Sequence, residues 1–291
     1  MNGPLYDVLT AAGEIAGIDT AGAALIRDGG NVIYRLAGGV VARIGREGGE
    51  HAAATGVHAA RWLAAHDVRV VTPLPGLDQP TVVDRWPVTW WVQLAAHRHA
   101  TPDELGATLR QVHSVDPATP NCADELDPFD GITYRIANAP QLAAEDHHWL
   151  TEHLSLLRAD YAALPPGLSR RMIHGDAWQG NVVVPDGGEP TVLDLDHASL
   201  GPPEWDLVPL AVDHTDFARI SAADYQSFVD AYGHDVTTWP GYRTLAAIRE
   251  LGWTAFALSK AGACRAAATE AHHRIACLRG QVPRPWTWAA L

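Results

Sequence analysis

The sequence is poor in lysine and in positive charge overall. Of its 21 basic residues only Lys260 is a lysine, and the 34 acidic residues give a formal net charge of −13 at pH 7. Nucleic acids and anionic membranes are bound through basic surfaces, so this balance argues against both as partners. A mechanism that requires a lysine therefore has one candidate in the whole chain.

Long apolar stretches are also missing. The longest ones, such as Leu207–Val212, fall far short of the roughly 20 residues that a helix needs to cross a bilayer. The N-terminal segment contains Asp7, Glu14 and Asp19 without a basic leader, which is not the pattern of a signal peptide. These features predict a cytoplasmic protein.

Cysteine is scarce as well. The three cysteines, Cys122, Cys264 and Cys277, lie far apart in the sequence and show no CxxC spacing. An odd number of cysteines without metal-ligand spacing predicts reduced thiols in a reducing compartment. A disulfide between Cys264 and Cys277 is the less favoured alternative.

The chain has ample material for a buried core, because 47% of its 291 residues are hydrophobic and 19% are charged. The first third contains short runs rich in valine and isoleucine, separated by glycine pairs, which is typical of antiparallel strands joined by tight turns. The predicted strands are Ala24–Arg27, Val32–Leu36 and Val40–Ile44, followed by a helix at Glu50–His66 and a hairpin of Thr81–Trp86 with Val88–Leu94 that turns at Trp86-Pro87.

Helices dominate the remainder. Residues Thr101–Glu104 supply a threonine cap, a proline and two acids, which together are typical of a helix start. Further helices are predicted at Gln141–Leu164 and over 204–280, with short strands around 170–196. The pattern predicts an α+β fold with two lobes. A small antiparallel-β lobe would span 1–95, and a larger, mostly helical lobe would span 96–291.

The densest polar cluster in an apolar setting is His174–Asn181, and Asp194 follows thirteen residues later. Asp176 and Asp194 each follow a strand-like run, where rigid flanks can hold a side chain in place. Phosphoryl transfer needs an acceptor for the substrate's hydroxyl proton and oxygen ligands for Mg²⁺. Asp176 can be that acceptor, and Asn181 with Asp194 can be the ligands. The alternative is that these residues serve turn geometry in polar loops.

Three segments resemble the aminoglycoside phosphotransferase and choline kinase superfamily, a group of small-molecule kinases with a protein-kinase-like fold. They are His174–Asn181, Leu193–Asp196 and Gly201–Leu207. The resemblance extends over nearly the whole chain and is strongest in the catalytic segment. It implies a bilobal kinase fold, ATP or GTP as the phosphoryl donor, Mg²⁺ as the cofactor and a hydroxyl group as the acceptor.

The resemblance also implies roles for single residues. Asp176 would be the catalytic base, and Asn181 and Asp194 would hold Mg²⁺ on the nucleotide phosphates. His174 would hydrogen-bond the backbone of the catalytic loop, a structural role that we prefer to proton transfer. Asp206 would brace the same loop from the next helix.

In the first lobe the resemblance points to two nucleotide-binding segments. Gly29, Gly30 and Asn31 stand where the family folds a loop over the phosphates, with plain turn chemistry as the alternative. The residues that contact the base would lie around Gln93 and Ala95 and would use mainly backbone groups.

The chain departs from the kinase pattern at the residue that grips the phosphates. Kinase-like folds use a strand lysine paired with a helix glutamate, but Arg43 takes that place here. A guanidinium keeps its charge and can engage two phosphate oxygens at once. Glu50 is the preferred partner of Arg43, and Glu47 is the rival. Asp196 could be a contact near the metal or a turn residue.

The acceptor would bind in the helical lobe, where many acidic residues follow Asp206. An acidic lobe favours a cationic, hydroxyl-rich acceptor such as an aminoglycoside, although ordinary solvated helices are acidic as well. The sequence thus predicts a kinase that phosphorylates an antibiotic, with resistance by inactivation as its outcome. A kinase of a sugar, an amino sugar or a choline-like alcohol is the alternative.

Two further readings come from other classes of protein. One is a catalytically silent relative that binds a nucleotide or metabolite, motivated by the missing strand lysine. The other is a divalent-metal hydrolase. Its ligands would come from a group of acidic and histidine side chains, namely His174, Asp176, Asp194, Asp196 and His197.

Overall fold

The glycine-separated runs of the first third form an antiparallel sheet of five strands in the computed structural model, which describes residues 3–116, 123–262 and 264–291. The strands are β1 (Ala24–Asp28), β2 (Val32–Arg35), β3 (Val40–Ile44), β4 (Thr81–Val83) and β5 (Trp86–Val92), in the spatial order β1-β2-β3-β5-β4. Helix α1 (Tyr6–Ala16) packs its buried Leu9 and Ala12 into the same core as Tyr34, Ala42 and Trp90 of the sheet. The three strands predicted between residues 24 and 44 are confirmed.

The hairpin of β4 and β5 turns earlier than predicted. Its turn residues are Asp84 and Arg85, with φ angles of 45° and 69°. Trp86 and Pro87 instead lie within β5 and pair with β4, so the predicted turn at Trp86-Pro87 is wrong. Strand β5 is buried on both faces: Val88 and Trp90 lie in the core shared with α1, and Trp91 lies in the core shared with α2.

A second group of elements packs beside this sheet. It consists of α2 (Glu50–Ala64), β6 (His97–His99), α3 (Pro102–Ser114), β7 (Arg171–Ile173), β8 (Val182–Pro185), β9 (Thr191–Val192) and β10 (Ser199–Gly201). The strands form a β6-β8-β9 sheet and a β10-β7 pair. Helix α3 begins with the predicted cap, since the Thr101 N–H donates to Glu104 Oε2 at 2.8 Å. Apolar residues of α2 share a core with Met172, Val192 and Leu195, which ties the polar segment at 174–194 to a rigid base.

The remaining elements are helical. They are α4 (Ile132–Ala137), α5 (Ala144–Ala162), α6 (Glu204–Thr215), α7 (Ala222–Tyr232), α8 (Tyr242–Ala261) and α9 (Arg265–Leu278). An antiparallel sheet followed by a mostly helical region confirms the predicted α+β class.

The chain divides into two compact units, which differ from the predicted lobes. The first comprises Met1–Glu125 and Arg171–Gly201, and the second comprises Leu126–Arg170 and Pro202–Leu291. Residues 171–201 join the first unit because β8 pairs with β6 and because the Val71 N–H donates to Val192 O at 2.9 Å. The assignment of nucleotide binding and acceptor binding to lobes at 1–95 and 96–291 stays a prediction.

Two of the three cysteines lie in the described residues. Cys264 is exposed and Cys277 is buried, and both are free thiols, so the disulfide alternative is wrong. Cys122 lies outside the described residues. Across residues 3–116, 123–262 and 264–291, the structure contains no helix that is both long and apolar enough to span a membrane.

Candidate active site

The predicted catalytic segment begins where β7 ends. His174 is fully buried, and both of its ring nitrogens are engaged: Nε2 lies 2.8 Å from Leu193 O, and Nδ1 accepts from the Asp176 N–H at 3.2 Å. With Nε2 protonated, one ring therefore ties the loop at 176 to the strand end at 193. This contact supports the structural role expected for His174 and leaves neither nitrogen for a metal.

Gly175 gives this loop its shape. Its φ angle is +83°, and a Cβ at this position would collide with the backbone carbonyl of His197. Glycine is the residue that reaches this conformation without steric cost. The loop between His174 and Asp176 is therefore fixed against the backbone at 197.

The structure brings Asp176 and Asn181 together. Asn181 Nδ2 donates to Asp176 O at 2.9 Å and approaches its carboxylate Oδ2 at 3.5 Å. Asn181 is buried in the turn before β8, whereas Asp176 is partly exposed. A partly exposed carboxylate is thus held by a buried amide.

Asp194 reaches the same place from the end of β9. The Leu193 N–H donates to Asn181 O at 2.8 Å, so the residue before Asp194 is bonded to the turn that carries Asn181. Asp194 has φ 54° and ψ 58°, a left-handed conformation that aspartate tolerates better than most residues, and its side chain is 43% exposed.

The oxygens of Asn181 and Asp194 are suited to Mg²⁺, which prefers oxygen ligands. The Asn181 amide nitrogen is engaged by Asp176, so its oxygen is the atom left for a cation. The donor set fits the ion. Within the described residues, no group of three or more histidine, cysteine, aspartate or glutamate side chains is arranged to hold a metal. The engaged His174 ring counts against the hydrolase hypothesis, which needs that side chain as a metal ligand.

Arg43 lies on β3 with its side chain 12% exposed, and its guanidinium points to the two acids that follow β9. Arg43 Nη1 lies 2.6 Å from Asp196 Oδ1, and Nη2 lies 2.7 Å from both Asp196 Oδ2 and Asp194 Oδ1. Burial opposes the charge of the guanidinium, but the hydrogen bond and charge of Asp196, with the charge of Asp194, outweigh it and raise the pKa of Arg43.

The predicted phosphate loop lies beside this arginine. Gly29 and Gly30 form the turn between β1 and β2, and Asn31 closes it. With its amide oxygen turned toward the guanidinium, Asn31 accepts from Arg43 Nε at 3.1 Å and also from Nη2. The structure therefore brings Asn31 and Arg43 together, as their common assignment to the phosphates requires.

The predicted acidic partners of Arg43 lie elsewhere. Glu50 is the first residue of α2, and Glu47 approaches Arg85 at 3.8 Å. Among the described residues, the ion pairs of Arg43 are with Asp194 and Asp196. The predicted pairing of Arg43 with Glu50 or Glu47 is therefore wrong, because the guanidinium is bound by the two acids of the turn after β9.

The candidate base-binding segment follows β5. The Gln93 N–H donates to Gly39 O at 2.8 Å, and Ala95 O lies 2.9 Å from His97 Nδ1. Both residues are exposed. Their backbone groups are thus partly engaged within the chain, and their contact with a base stays a prediction.

Asp206 is buried on α6 of the second unit, and its role as a brace of the loop at 174–181 stays a prediction too.

Sequence reasoning left Asp196 undecided and took Gly56 only as a helix position without a carboxylate. A Cβ at residue 56 would lie 2.6 Å from Asp196 Oδ1, so α2 meets the turn at 195–197 through a glycine. The signal was a single glycine inside an alanine-rich helix, where glycine costs about 1 kcal/mol relative to alanine. The other signal was a second aspartate two residues after Asp194.

Comparison with known proteins gives one family. A profile of the family described as "Phosphotransferase enzyme family" matches residues 28–248, which is more than half of the chain. The comparison with curated proteins finds no match.

Several solved structures share the fold. An amicoumacin kinase in complex with AMP-PNP, Ca²⁺ and Ami aligns with a TM-score of 0.74 at 13% identity, covering 97% of this chain and 95% of that one. A choline/ethanolamine kinase family protein from Mesorhizobium loti gives 0.64 at 20% identity, with coverage of 93% and 94%. An aminoglycoside phosphotransferase from Streptomyces rimosus gives 0.62 at 19% identity, with coverage of 85% and 98%. The predicted protein-kinase-like fold is confirmed.

Proposed function

Because the chain belongs to the phosphotransferase enzyme family, we propose that it transfers the γ-phosphoryl group of a nucleoside triphosphate to a hydroxyl of a small molecule. One observation carries this proposal: within one compact unit, hydrogen bonds of 2.7 to 3.5 Å join Arg43 to Asp194 and Asn181 to Asp176. The backbone bond from the Leu193 N–H to Asn181 O, at 2.8 Å, ties the two pairs together. A catalytically silent relative would have no need to keep this set together.

Asp176 is the proposed catalytic base. The acceptor oxygen forms a bond to the γ-phosphorus, the bond from that phosphorus to the bridging oxygen breaks, and the nucleoside diphosphate leaves. The hydroxyl proton passes to the Asp176 carboxylate. Contacts from His174 to the Asp176 N–H, and from Asn181 to its carbonyl and carboxylate, hold the base in one orientation. Such positioning supplies much of the rate in phosphoryl transfer.

Asn181 and Asp194 are the proposed ligands of Mg²⁺. When bound, the ion neutralises charge on the phosphate oxygens. Asp194 suits this role because it is the more exposed of the two acids at Arg43 and meets the guanidinium through one oxygen. Turnover should therefore require a divalent cation and should stop on addition of a chelator.

Arg43, Asn31 and the Gly29-Gly30 turn are the proposed contacts to the phosphates. A guanidinium at this position supplies a charge that is fixed at every physiological pH and several donors in one plane. Backbone groups around Gln93 and Ala95 would contact the base, with ATP or GTP as the donor. We place the reaction in the cytoplasm, where both nucleotides are available.

A hydroxylated antibiotic is the proposed acceptor, and phosphorylation would inactivate it. The fold is shared with an amicoumacin kinase and an aminoglycoside phosphotransferase, and the second unit is rich in carboxylates that favour a cationic molecule. A choline-like alcohol or an amino sugar is the second candidate, since a choline/ethanolamine kinase family protein shares the fold at a TM-score of 0.64.

The test is a nucleotide-consumption screen with ATP and GTP in parallel. The acceptor panel contains aminoglycosides, nucleoside-type antibiotics, amino sugars and choline-like alcohols, and mass spectrometry identifies the added phosphoryl group. We expect phosphorylation of at least one hydroxylated compound that is lost in Asp176→Asn. Nucleotide binding without phosphorylation of any compound would favour a silent relative, and cleavage of phosphoesters without nucleotide would favour a hydrolase.

A further inference from the structure

The acid that holds the strand arginine comes from an unexpected element. Resting on the function proposed above, we propose that Asp196 is the residue that positions Arg43 for the nucleotide phosphates, and that Gly56 of α2 provides the space for it. The helix carboxylate that serves kinase-like folds is thereby replaced by a carboxylate from the turn after β9. Asp196 acts through Arg43 and is a positioning residue.

The contact geometry separates Asp196 from its neighbour Asp194. Asp196 meets the guanidinium through both carboxylate oxygens, at 2.6 and 2.7 Å, whereas Asp194 uses one oxygen at 2.7 Å. Two parallel hydrogen bonds fix the plane of a guanidinium as well as its position. Asp196 can therefore keep Arg43 in place while Asp194 changes partners.

The burial of the two side chains also distinguishes Asp196 from Asp194. The Asp196 side chain is 15% exposed and that of Asp194 is 43% exposed. A shielded ion pair is weakened less by solvent and salt than an exposed one. The more shielded acid is thus suited to a permanent contact, and the more exposed acid is suited to an incoming ligand.

Helix α2 leaves this task to Asp196. Its only acid is Glu50, at its first residue, and the face that meets the turn at 195–197 presents Gly56. A Cβ there would lie 2.6 Å from Asp196 Oδ1 and 3.5 Å from Asp196 N. Any larger residue at 56 would push the carboxylate from its place beside Arg43.

Loss of Asp196 should withdraw the arginine from the phosphates. Its remaining carboxylate partner would be Asp194, the proposed metal ligand. We expect Asp196→Asn to weaken nucleotide binding about 10- to 100-fold, the size of effect seen when supporting residues of a site are removed. Gly56→Ala should also weaken nucleotide binding. Calorimetry with ATP and GTP, with and without Mg²⁺, measures the affinity apart from turnover.

Glu189→Gln is the matched control. It also removes one carboxylate from the first unit and breaks an ion pair, with Arg69, but at an exposed position. We expect its nucleotide affinity to equal that of the wild type. Thermal unfolding of every variant separates a loss of affinity from a loss of fold.

A relocation variant tests positioning directly. A Cβ at residue 56 points at the Asp196 carboxylate, so Gly56→Asp combined with Asp196→Ala would return a carboxylate to Arg43 from the helix. We expect the double variant to recover at least about tenfold of the affinity that Asp196→Ala loses. A residue with a merely structural role would show no such rescue.

The outcomes for the inference and for the proposed function are distinct. Unchanged or tighter nucleotide binding by folded Asp196→Asn, or no recovery in the double variant, overturns the inference and leaves the proposed function standing. Suppose that the wild type binds nucleotide, that Asp196→Asn binds it more weakly and that the double variant recovers affinity, but that no acceptor is phosphorylated. This result supports the inference and overturns the proposed function. A wild type that binds no nucleotide overturns both.

Discussion

Asp176 and Asn181 lie five positions apart in the sequence, and their hydrogen bond closes a single loop. Local contacts of this kind depend on residue types that stand close together in the sequence, which is why the motif at His174–Asn181 predicted them. The buried amide of Asn181 and the His174 ring hold Asp176 without removing it from solvent. At the scale of the residue, the proposed base is therefore both accessible and fixed.

Asp176→Asn should fold as the wild type does and lose about 10²- to 10⁴-fold in turnover, because an amide cannot accept the hydroxyl proton. The near-identical shape of asparagine keeps the backbone contacts of the loop. Steady-state kinetics, with thermal unfolding as the control for folding, makes this measurement. Undiminished turnover in a folded variant would remove Asp176 from the role of base.

Arg43→Lys should bind nucleotide more weakly than the wild type and more tightly than Arg43→Ala. A lysine keeps the charge, but its single ammonium cannot fork onto Asp196 and also reach Asp194 and Asn31. Arg69→Lys, on the exposed ion pair with Glu189, is the matched control. Equal affinities of Arg43→Lys and Arg43→Ala would show that charge at this position contributes nothing.

At the scale of the element, the β-strands and the α3 cap followed from short patterns, whereas the contact between α2 and the turn after β9 did not. Arg43 and Asp196 are separated by 153 positions. No local propensity or spacing joins such residues, because their contact depends on how β3, α2 and β9 pack. The predicted pairing of Arg43 with Glu50 or Glu47 was wrong for this reason, and Gly56 was a local sign of the close approach.

Gly175→Ala tests how strictly the loop after β7 is built. The substitution adds left-handed strain and a collision with the carbonyl of His197, so we expect a loss of stability above the roughly 1 kcal/mol of strain alone. Turnover should fall with it. Gly187→Ala is the matched control, since Gly187 has φ +68° but open space around it. Equal unfolding temperatures of the two variants would contradict the close approach at Gly175.

At the scale of the whole molecule, the second unit contains a buried acid pair between α6 and α8. Asp216 and Glu250 are 3% and 2% exposed. Arg243 and Arg284 lie 2.7 and 2.8 Å from Asp216, and each lies 3.5 Å from Glu250. Burial, followed by the hydrogen bond to Asp216, raises the pKa of Glu250 to about 8. The pair therefore shares a proton at neutral pH.

This proton makes stability depend on pH between about 4.5 and about 8. The folded protein keeps the Glu250 proton to a higher pH than the unfolded chain, whose pKa is near the ordinary 4.5. The stability contribution of this proton is therefore complete below that value, falls as pH rises from there to about 8, and is lost above it. We expect the unfolding temperature of the wild type to fall as pH rises through that range and Glu250→Gln to show a flatter profile. Glu152→Gln, at an exposed site, should follow the wild type. Parallel profiles for wild type and Glu250→Gln would contradict the shared proton.

The replacement of the strand lysine by Arg43 has a consequence for how this enzyme can be detected. Reagents that carry a nucleotide and acylate an amine depend on a lysine beside the phosphates, and the only lysine of this chain is Lys260 on α8. Such reagents would find no lysine on β3 or elsewhere in the first unit, where the proposed phosphate contacts lie. An arginine-selective dicarbonyl reagent should modify Arg43 instead, and bound nucleotide should protect it. Surveys that identify kinases by amine acylation would therefore overlook phosphotransferases built in this way.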